Sequence, residues 1–163
     1  MKHTDRYLLG IVAGIVILVV AAFAFVLTRS EPTYLWEDTP DGVVYDYLLA
    51  LEKGDHERAL SYLSTCIEDR PTDSRIFNTQ IKNNWRFSNL KRDTSLQVLS
   101  SKIVGAEAVV VVRETTFEND APFDNRADSD EFEMTLIQQD GAWKLVAGEK
   151  YWSYRWGRKP DCP

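Results

Sequence analysis

Few side chains in this sequence have the type and spacing that general acid–base work requires. Such chemistry on a small carbon acid needs a carboxylate or imidazole inside an apolar site, with a phenol or protonated acid opposite. His56 falls at a break between two helical patterns and reads as a solvated helix-start residue. Glu114 and Glu149 lie in strand-like segments, with no Tyr at a diagnostic spacing, and read as ionised groups on the outer face of a sheet. Neither Cys66 nor Cys162 has a His suited to activate a thiolate. The patterns G-x-S-x-G, the phosphate loop and HExxH are missing. No catalytic, cofactor-binding or metal-binding residue is therefore assigned, and a non-catalytic role is expected.

Two segments concentrate charge. Glu118–Glu133 carries seven acids and one base, and Asp124, Asp128 and Asp130 are close enough to suggest oxygen ligands for calcium. The EF-hand pattern is not met, because its central Gly and terminal Glu are missing at their offsets, so the segment reads as a solvated hairpin loop. Lys150–Lys159, KYWSYRWGRK, interleaves four aromatics with four basic residues in an otherwise acidic stretch of chain. Trp, Tyr and Arg are the residues enriched at interface hot spots. Trp152, Tyr154, Arg155, Trp156 and Arg158 are the candidate interaction surface, with Trp152, Tyr154 and Trp156 forming one ridge if the strand stays regular. Two alternatives stand beside it: aromatics that close the core, and contact with lipid headgroups.

Tyr7–Thr28 is an uninterrupted apolar run whose only ionisable group is the Tyr7 phenol. As a helix it would be roughly 33 Å long, against about 30 Å of bilayer hydrocarbon. The sequence thus predicts a cytoplasmic tail over 1–6, a transmembrane helix over 7–28, a linker over 29–38 and an extracytoplasmic domain over 39–163. A cleaved signal peptide is a competing reading, since Ala22-Phe23-Ala24 fits a cleavage site, but the run is too long for a signal core and continues past the cut. A buried soluble helix would keep a polar stripe. Lys2 and Arg6 precede the run and only Arg29 closely follows it, which places the N-terminus in the cytoplasm by the positive-inside tendency. The bilayer is therefore an expected partner, and the localisation is the cell membrane, single-pass, with the domain periplasmic or extracellular.

From Ser30 onward there are 16 Lys and Arg against 24 Asp and Glu, a balance near −8 that argues against nucleic-acid binding. About 134 residues suffice for one domain with a core. Both cysteines fall in this part, and outside the membrane a pair tends to oxidise, so a Cys66–Cys162 disulfide is expected; two unpaired thiols are the alternative.

The elements follow from local signals. Ser30–Asp38 reads as a polar connector, with Tyr34, Leu35 and Trp36 at headgroup level or packed on the domain. Thr39-Pro40 reads as an N-cap followed by Pro at the first helical position. Val44, Tyr47, Leu48 and Leu51 make one apolar helical face, and Gly54 ends that helix. Asp55 caps a short helix with Ala59, Leu60 and Leu63 inward, and Asp73 caps a third with Phe77, Ile81 and Trp85 in line. Strands are predicted over Ser95–Val104, Ala108–Phe117 and Asp130–Gln138, the last with Phe132, Met134 and Leu136 on one face and Glu131 and Glu133 on the other. Asp140-Gly141 signals a hairpin into a final strand with Trp143, Leu145 and Ala147 inward and a bulge at Gly148. Three helices followed by a four-stranded antiparallel meander is an α+β pattern.

Val44–Leu63, VYDYLLALEKGDHERALSYL, with its Gly54-Asp55 break, resembles the opening helical pair of the cystatin-like roll shared by nuclear transport factor 2 and ketosteroid isomerase. Asp140–Val146, DGAWKLV, resembles the last hairpin of the same superfamily. The resemblance spans roughly Thr39 to Trp152 and implies three helices wrapped by a curved four-stranded sheet. It does not fix a function, because the fold hosts enzymes, transport adaptors and assembly proteins. The expected role is a membrane-anchored, non-catalytic interaction or ligand-binding module, a subunit or accessory protein of a membrane complex with a protein partner; a small-molecule ligand is compatible with it. An isomerase or dehydratase using an acidic residue in the roll's apolar cone is the alternative.

Overall fold

The computed structural model of the chain describes residues 4–27, 31–82, 94–121 and 124–162. The chain divides into two compact units, Met1–Thr33 and Tyr34–Pro163.

The first unit contains α1, Thr4–Leu27, a 24-residue helix. Its described side chains show no polar face: Leu9, Ile11, Val16, Leu18, Phe23 and Phe25 are all exposed. Among the described residues no helix is both long and apolar enough to cross a membrane. The span read from residues 7–28 is therefore not established by the fold, and its last position lies outside the described residues.

The second unit opens with α2 (Pro40–Lys53), α3 (His56–Ser61) and α4 (Ser74–Lys82), followed by β1 (Thr94–Val104), β2 (Glu107–Ala121), β3 (Asp124–Gln139) and β4 (Ala142–Gly148). Each helix start is the one its local sequence dictates. The Thr39 hydroxyl accepts the Gly42 N–H, and the Asp55 carboxylate accepts that of Arg58. Asp73 accepts the amides of Arg75 and Ile76 at 2.8 and 2.9 Å, satisfying donors that a helix N-terminus leaves free. Gly54 closes α2 in the left-handed region at φ 68°, a conformation glycine adopts without steric cost. Trp85, expected on the third helical face, lies outside the described residues.

The sheet is a meander in the order β1-β2-β3-β4, all pairs antiparallel. Asp140 and Gly141 both have positive φ, 55° and 83°, the geometry a two-residue hairpin turn needs to match strand twist. Three irregularities interrupt the ladders, one of them between Glu118 and Ala121 in the β2–β3 pair. Leu99 is an extra residue in β1, since Val98 pairs with Val112 and Ser100 with Val111. Val146 is an extra residue in β4, where Leu145 pairs with Leu136 and Ala147 with Thr135. The bulge expected at Gly148 thus sits two residues earlier. It turns Val146 away from Leu145 and into a small second cluster with Cys66 and Ile137, so both residues are fully buried.

The main core lies between α2, α3, α4 and the concave sheet face, built on Val44, Tyr47, Phe77, Val110, Phe132 and Met134. Phe132, Met134 and Leu136 point inward and Glu131 and Glu133 outward, as their alternation predicts. Burying a side chain such as Phe77 stabilises the fold by roughly 1.5–3 kcal/mol. The outer edge of β4 is covered: Leu145 N–H donates to Tyr62 O at 2.9 Å, and Ser64 N–H to Leu145 O at 2.8 Å. The chain end is fastened to the segment after α3 by the Cys66–Cys162 disulfide, with Cα atoms 5.7 Å apart. The Ile67–Arg158 bridge and a Glu68 N–H bond to Gly157 O reinforce it.

Candidate functional site

Two places gather chemistry-bearing side chains. The first is inside the roll. Glu114, on β2, was expected on the outer face, yet it is only 8% exposed. It shares its face with the inward residues Val110 and Val112, whose parity it keeps. Tyr151 Oη donates to Glu114 Oε1 and Lys150 Nζ to Glu114 Oε2, each at 2.5 Å. Lys150 also reaches Asp130 Oδ2 at 2.9 Å, and Tyr47 Oη donates to Tyr151 O at 2.8 Å. Burial, reinforced by the Glu114 carboxylate, pushes the Tyr151 phenol far above its ordinary range. Burial alone does the same to Tyr47. Burial pulls Lys150 down, but the two carboxylates outweigh it and the ammonium ends up raised. Asp130 is held below the usual carboxylate range by the Lys150 hydrogen bond and charge. Glu114 is thus a carboxylate with a phenol beside it, as a proton-transfer site requires, but both of its oxygens are already engaged. Glu149 keeps its expected outward place, accepting the Glu133 N–H at 2.9 Å.

His56 does not stand free at the helix break. It is half-buried, its ring lies 6.0 Å from that of Phe77, and its Nδ1 is buried without a hydrogen-bond partner among the described residues. The cause is α4, which packs over the start of α3.

The second place is a groove of about 660 Å³ formed by the connector, the α2–α3 pair and the start of β4. Its floor is Asp46, at mid-helix in α2 and 1% exposed. Asp46 Oδ1 accepts the Leu35 N–H at 2.8 Å; Oδ2 accepts the Trp36 N–H and the Tyr62 hydroxyl, each at 3.2 Å. Burial, then the Asp46 charge, raises the Tyr62 phenol. These bonds pack the backbone of Leu35 and Trp36 on the roll: a buried carboxylate needs donors, and this segment supplies them. Arg58 lies over the rings of Tyr34 and Trp36, 4.0 and 4.2 Å from their centroids, and pairs with Asp55 at 3.2 Å. Asp38 accepts the Trp143 N–H at 2.9 Å, closing the groove on the β4 side. Asp38, Asp46, Arg58 and Tyr62 were not singled out as functional from sequence. The available signal was Asp46 itself, one carboxylate inside an apolar helical run.

The C-terminal candidate surface is divided rather than assembled. β4 ends at Gly148, so strand alternation does not extend into 150–159. Trp152 and Trp156 are 4% and 3% exposed and belong to the core. Trp156 stacks on Phe77 at 5.5 Å and donates its Nε1–H to Gln80 Oε1 at 2.6 Å; Trp152 Nε1–H donates to Trp156 O at 2.8 Å. Arg158 pairs with Glu107 at 3.0 Å. Tyr154 and Arg155 remain exposed, with the Arg155 guanidinium 5.9 Å from the Tyr154 ring centroid. The expected ridge of Trp152, Tyr154 and Trp156 therefore does not form, because the segment turns back into the core. Around the acidic segment, β2 and β3 extend as a ladder down to Ala121 and Asp124 where a loop was expected, and no group of three metal-ligating side chains is found among the described residues. The side chains of Glu118 and Asp124 lie outside the described residues.

No protein-family model matches the chain, and no curated protein matches it. Several solved structures are similar in fold. A candidate ketosteroid isomerase from Shewanella frigidimarina is 17% identical over 68% of this chain and 94% of its own, with a TM-score of 0.48. An NTF2-like protein with a cystatin-like fold from Novosphingobium aromaticivorans is 10% identical, covering 80% of this chain and 84% of its own, with a TM-score of 0.47. A SEC-C motif containing protein from Rhodopseudomonas palustris is 15% identical, covering 69% and 79%, also with a TM-score of 0.47. Overlaps this loose say nothing of what this chain does.

Proposed function

We propose that this protein is a non-catalytic binding module: a roll domain outside the membrane, anchored by α1, that recognises a partner within a membrane complex. The observation that carries the non-catalytic reading is the state of Glu114. A general base needs access to its substrate, whereas Glu114 is 8% exposed, accepts from Tyr151 and Lys150 through its two oxygens and does not line the groove. An open groove among the described residues lies instead over Asp46, and it offers aromatic and charged contacts.

The anchor is supported by the character of α1. Leu9, Ile17, Leu18 and Phe25 are 67–74% exposed on α1, an apolar surface that favours lipid over water as its surroundings. The lean of basic residues toward Lys2 and Arg6 supports an outward-facing roll.

Alkaline carbonate washing of native membranes tests the anchor: the full chain should stay in the pellet, and release into the wash overturns it. Protease added to intact cells should remove the roll; protection overturns the orientation. For the binding role, proteins that co-purify with the gently solubilised chain should remain after Glu114→Gln and be lost after Trp36→Ala. The opposite pattern would favour an enzyme centred on Glu114.

A further inference from the structure

The groove over Asp46 has a definite charge. Among the described residues that line it are five carboxylates, Glu37, Asp38, Asp46, Asp55 and Glu57, against two cations, Arg58 and Lys144. Both cations are engaged: Arg58 with Asp55 at 3.2 Å, and Lys144 Nζ with Ser61 O at 2.8 Å. Three of the carboxylates are also in use, with Asp46 and Asp38 accepting backbone N–H groups and Asp55 held by Arg58. Glu37 and Glu57 are exposed on the rim and make no ion pair among the described residues. The lining therefore presents unneutralised negative charge beside an indole, Trp36, that is 74% exposed.

The aromatic wall already shows what it prefers. Tyr34 and Trp36 meet edge to face at 6.1 Å, and the chain's own Arg58 guanidinium lies on both rings. Trp36 is fixed through its N–H to Asp46 and adopts φ 59°, a conformation that an aromatic residue holds only where its surroundings impose it. A pre-positioned indole flanked by free carboxylates is the arrangement that receives a second cation, by ring quadrupole and charge together.

We infer that this groove docks a basic peptide segment of a protein partner, with a Lys or Arg side chain laid against Trp36 and paired to Glu37 or Glu57. The inference rests on the binding-module reading and names the partner's chemistry. An extended segment suits the site because the groove is open and its carboxylates are spread over two parts of the chain, Glu37 and Asp38 in the connector and Asp46, Asp55 and Glu57 in the α2–α3 pair.

The test uses the full chain in detergent micelles, with Trp fluorescence and a labelled short peptide of alternating Arg and Ser. Saturable binding is expected, weakening steeply with added salt. The double substitution Glu37→Gln with Glu57→Gln should weaken it about tenfold or more, and Trp36→Ala should do likewise, with the unfolding midpoint of the double variant unchanged. A matched peptide of alternating Glu and Ser should not bind. Absence of Arg-peptide binding, equal binding of the Glu peptide, or indifference to the double substitution overturns the inference. Spermine binding as tightly as the Arg peptide overturns it too, in favour of a small-cation pocket. Loss of native co-purifying proteins after Trp36→Ala, with no Arg-peptide binding, would remove the basic partner and leave the binding module standing.

Discussion

Tyr151 and Glu114, 37 positions apart, meet inside the roll through a 2.5 Å hydrogen bond from phenol to carboxylate. Lys150 reaches the same carboxylate from the partly exposed side and carries the charge on to Asp130. Consecutive residues after β4 thus satisfy one buried acid from two directions. That is possible only because the chain leaves the sheet at Gly148, where a Cβ would meet Met134 Cε at 3.2 Å and Trp152 Cβ at 3.3 Å.

Removing Glu114 leaves the Tyr151 hydroxyl without its acceptor in a site from which water is excluded. Glu114→Ala should cost about 3–5 kcal/mol, whereas Glu114→Gln, which keeps an acceptor for Tyr151 but loses the charge and turns an NH₂ group toward the partly exposed Lys150 ammonium, should cost less, roughly 1–3 kcal/mol. Urea unfolding of both variants checks the ordering. Equal costs would show that the hydrogen bond contributes little.

The same cluster predicts a loss of stability in alkali. Tyr47, Tyr151 and Lys150 all have their pKa values raised by the fold. A raised pKa means the folded protein holds its proton more tightly than the unfolded chain does. The resulting stabilisation is complete below the unfolded values, about 10 for Tyr and 10.4 for Lys, and is lost as pH rises through the folded ones. The unfolding midpoint should therefore fall steadily above about pH 10, with the phenolate absorbance of Tyr47 and Tyr151 appearing only as the protein unfolds. Asp130, with its pKa lowered, acts in the opposite sense: its contribution is present above the unfolded value of about 4 and is lost as pH falls through the lower folded one. Phenolate formation at these two residues in still-folded protein would sink the prediction.

What was legible in the sequence was local. Thr39-Pro40, Gly54-Asp55 and Asp140-Gly141 act on residues two to four positions away, so cap and turn chemistry is readable without the rest of the chain. The alternation of Phe132, Met134 and Leu136 was readable for the same reason. Glu114 and Trp156 were misplaced because their environment is assembled from distant segments: Tyr151 for one, Phe77 and Gln80 for the other. Parity counting through Lys150–Lys159 failed because it presumes a strand, and β4 ends first. Asp46 was legible as an oddity in an apolar helix, but its three donors come from the connector and from Tyr62, which periodicity does not reveal.

Trp156 and Tyr154 should behave as opposites. Trp156→Ala removes a core ring stacked on Phe77 and should cost about 3–5 kcal/mol. Tyr154 is 78% exposed, so Tyr154→Ala should change stability by no more than about 0.5 kcal/mol. Comparable midpoints for the two variants would place Trp156 outside the core.

Cys66 and Cys162 close a loop of 96 positions, for which the chain-entropy model gives about 4–5 kcal/mol of stabilisation through the unfolded state. Native protein should show no alkylatable thiol, and reduction should lower the unfolding midpoint while leaving the helix and strand content intact. Two reactive thiols in protein purified without reductant would refute the bond.

Asp46 is the position at which fold and proposed binding are joined. Its carboxylate is 1% exposed and accepts from Leu35 N–H, Trp36 N–H and the Tyr62 hydroxyl. In Asp46→Asn one oxygen becomes an NH₂ group, which faces donors whichever way the amide is turned. Replacing an acceptor by a donor leaves buried N–H groups unpaired, at about 1–3 kcal/mol each. The connector would then release, because Trp36 holds its left-handed conformation only while its N–H is bound. Asp46→Asn should therefore lower stability by roughly 2–4 kcal/mol and increase the accessibility of Trp36 to a fluorescence quencher. Arg58→Ala, which removes the guanidinium from both rings but leaves the N–H bonds intact, should raise quenching of the already exposed Trp36 only slightly, by uncovering one ring face, while lowering stability by only about 1 kcal/mol. A larger stability loss for Arg58→Ala than for Asp46→Asn would mean that the cation between the rings, rather than the carboxylate beneath them, holds the connector on the roll.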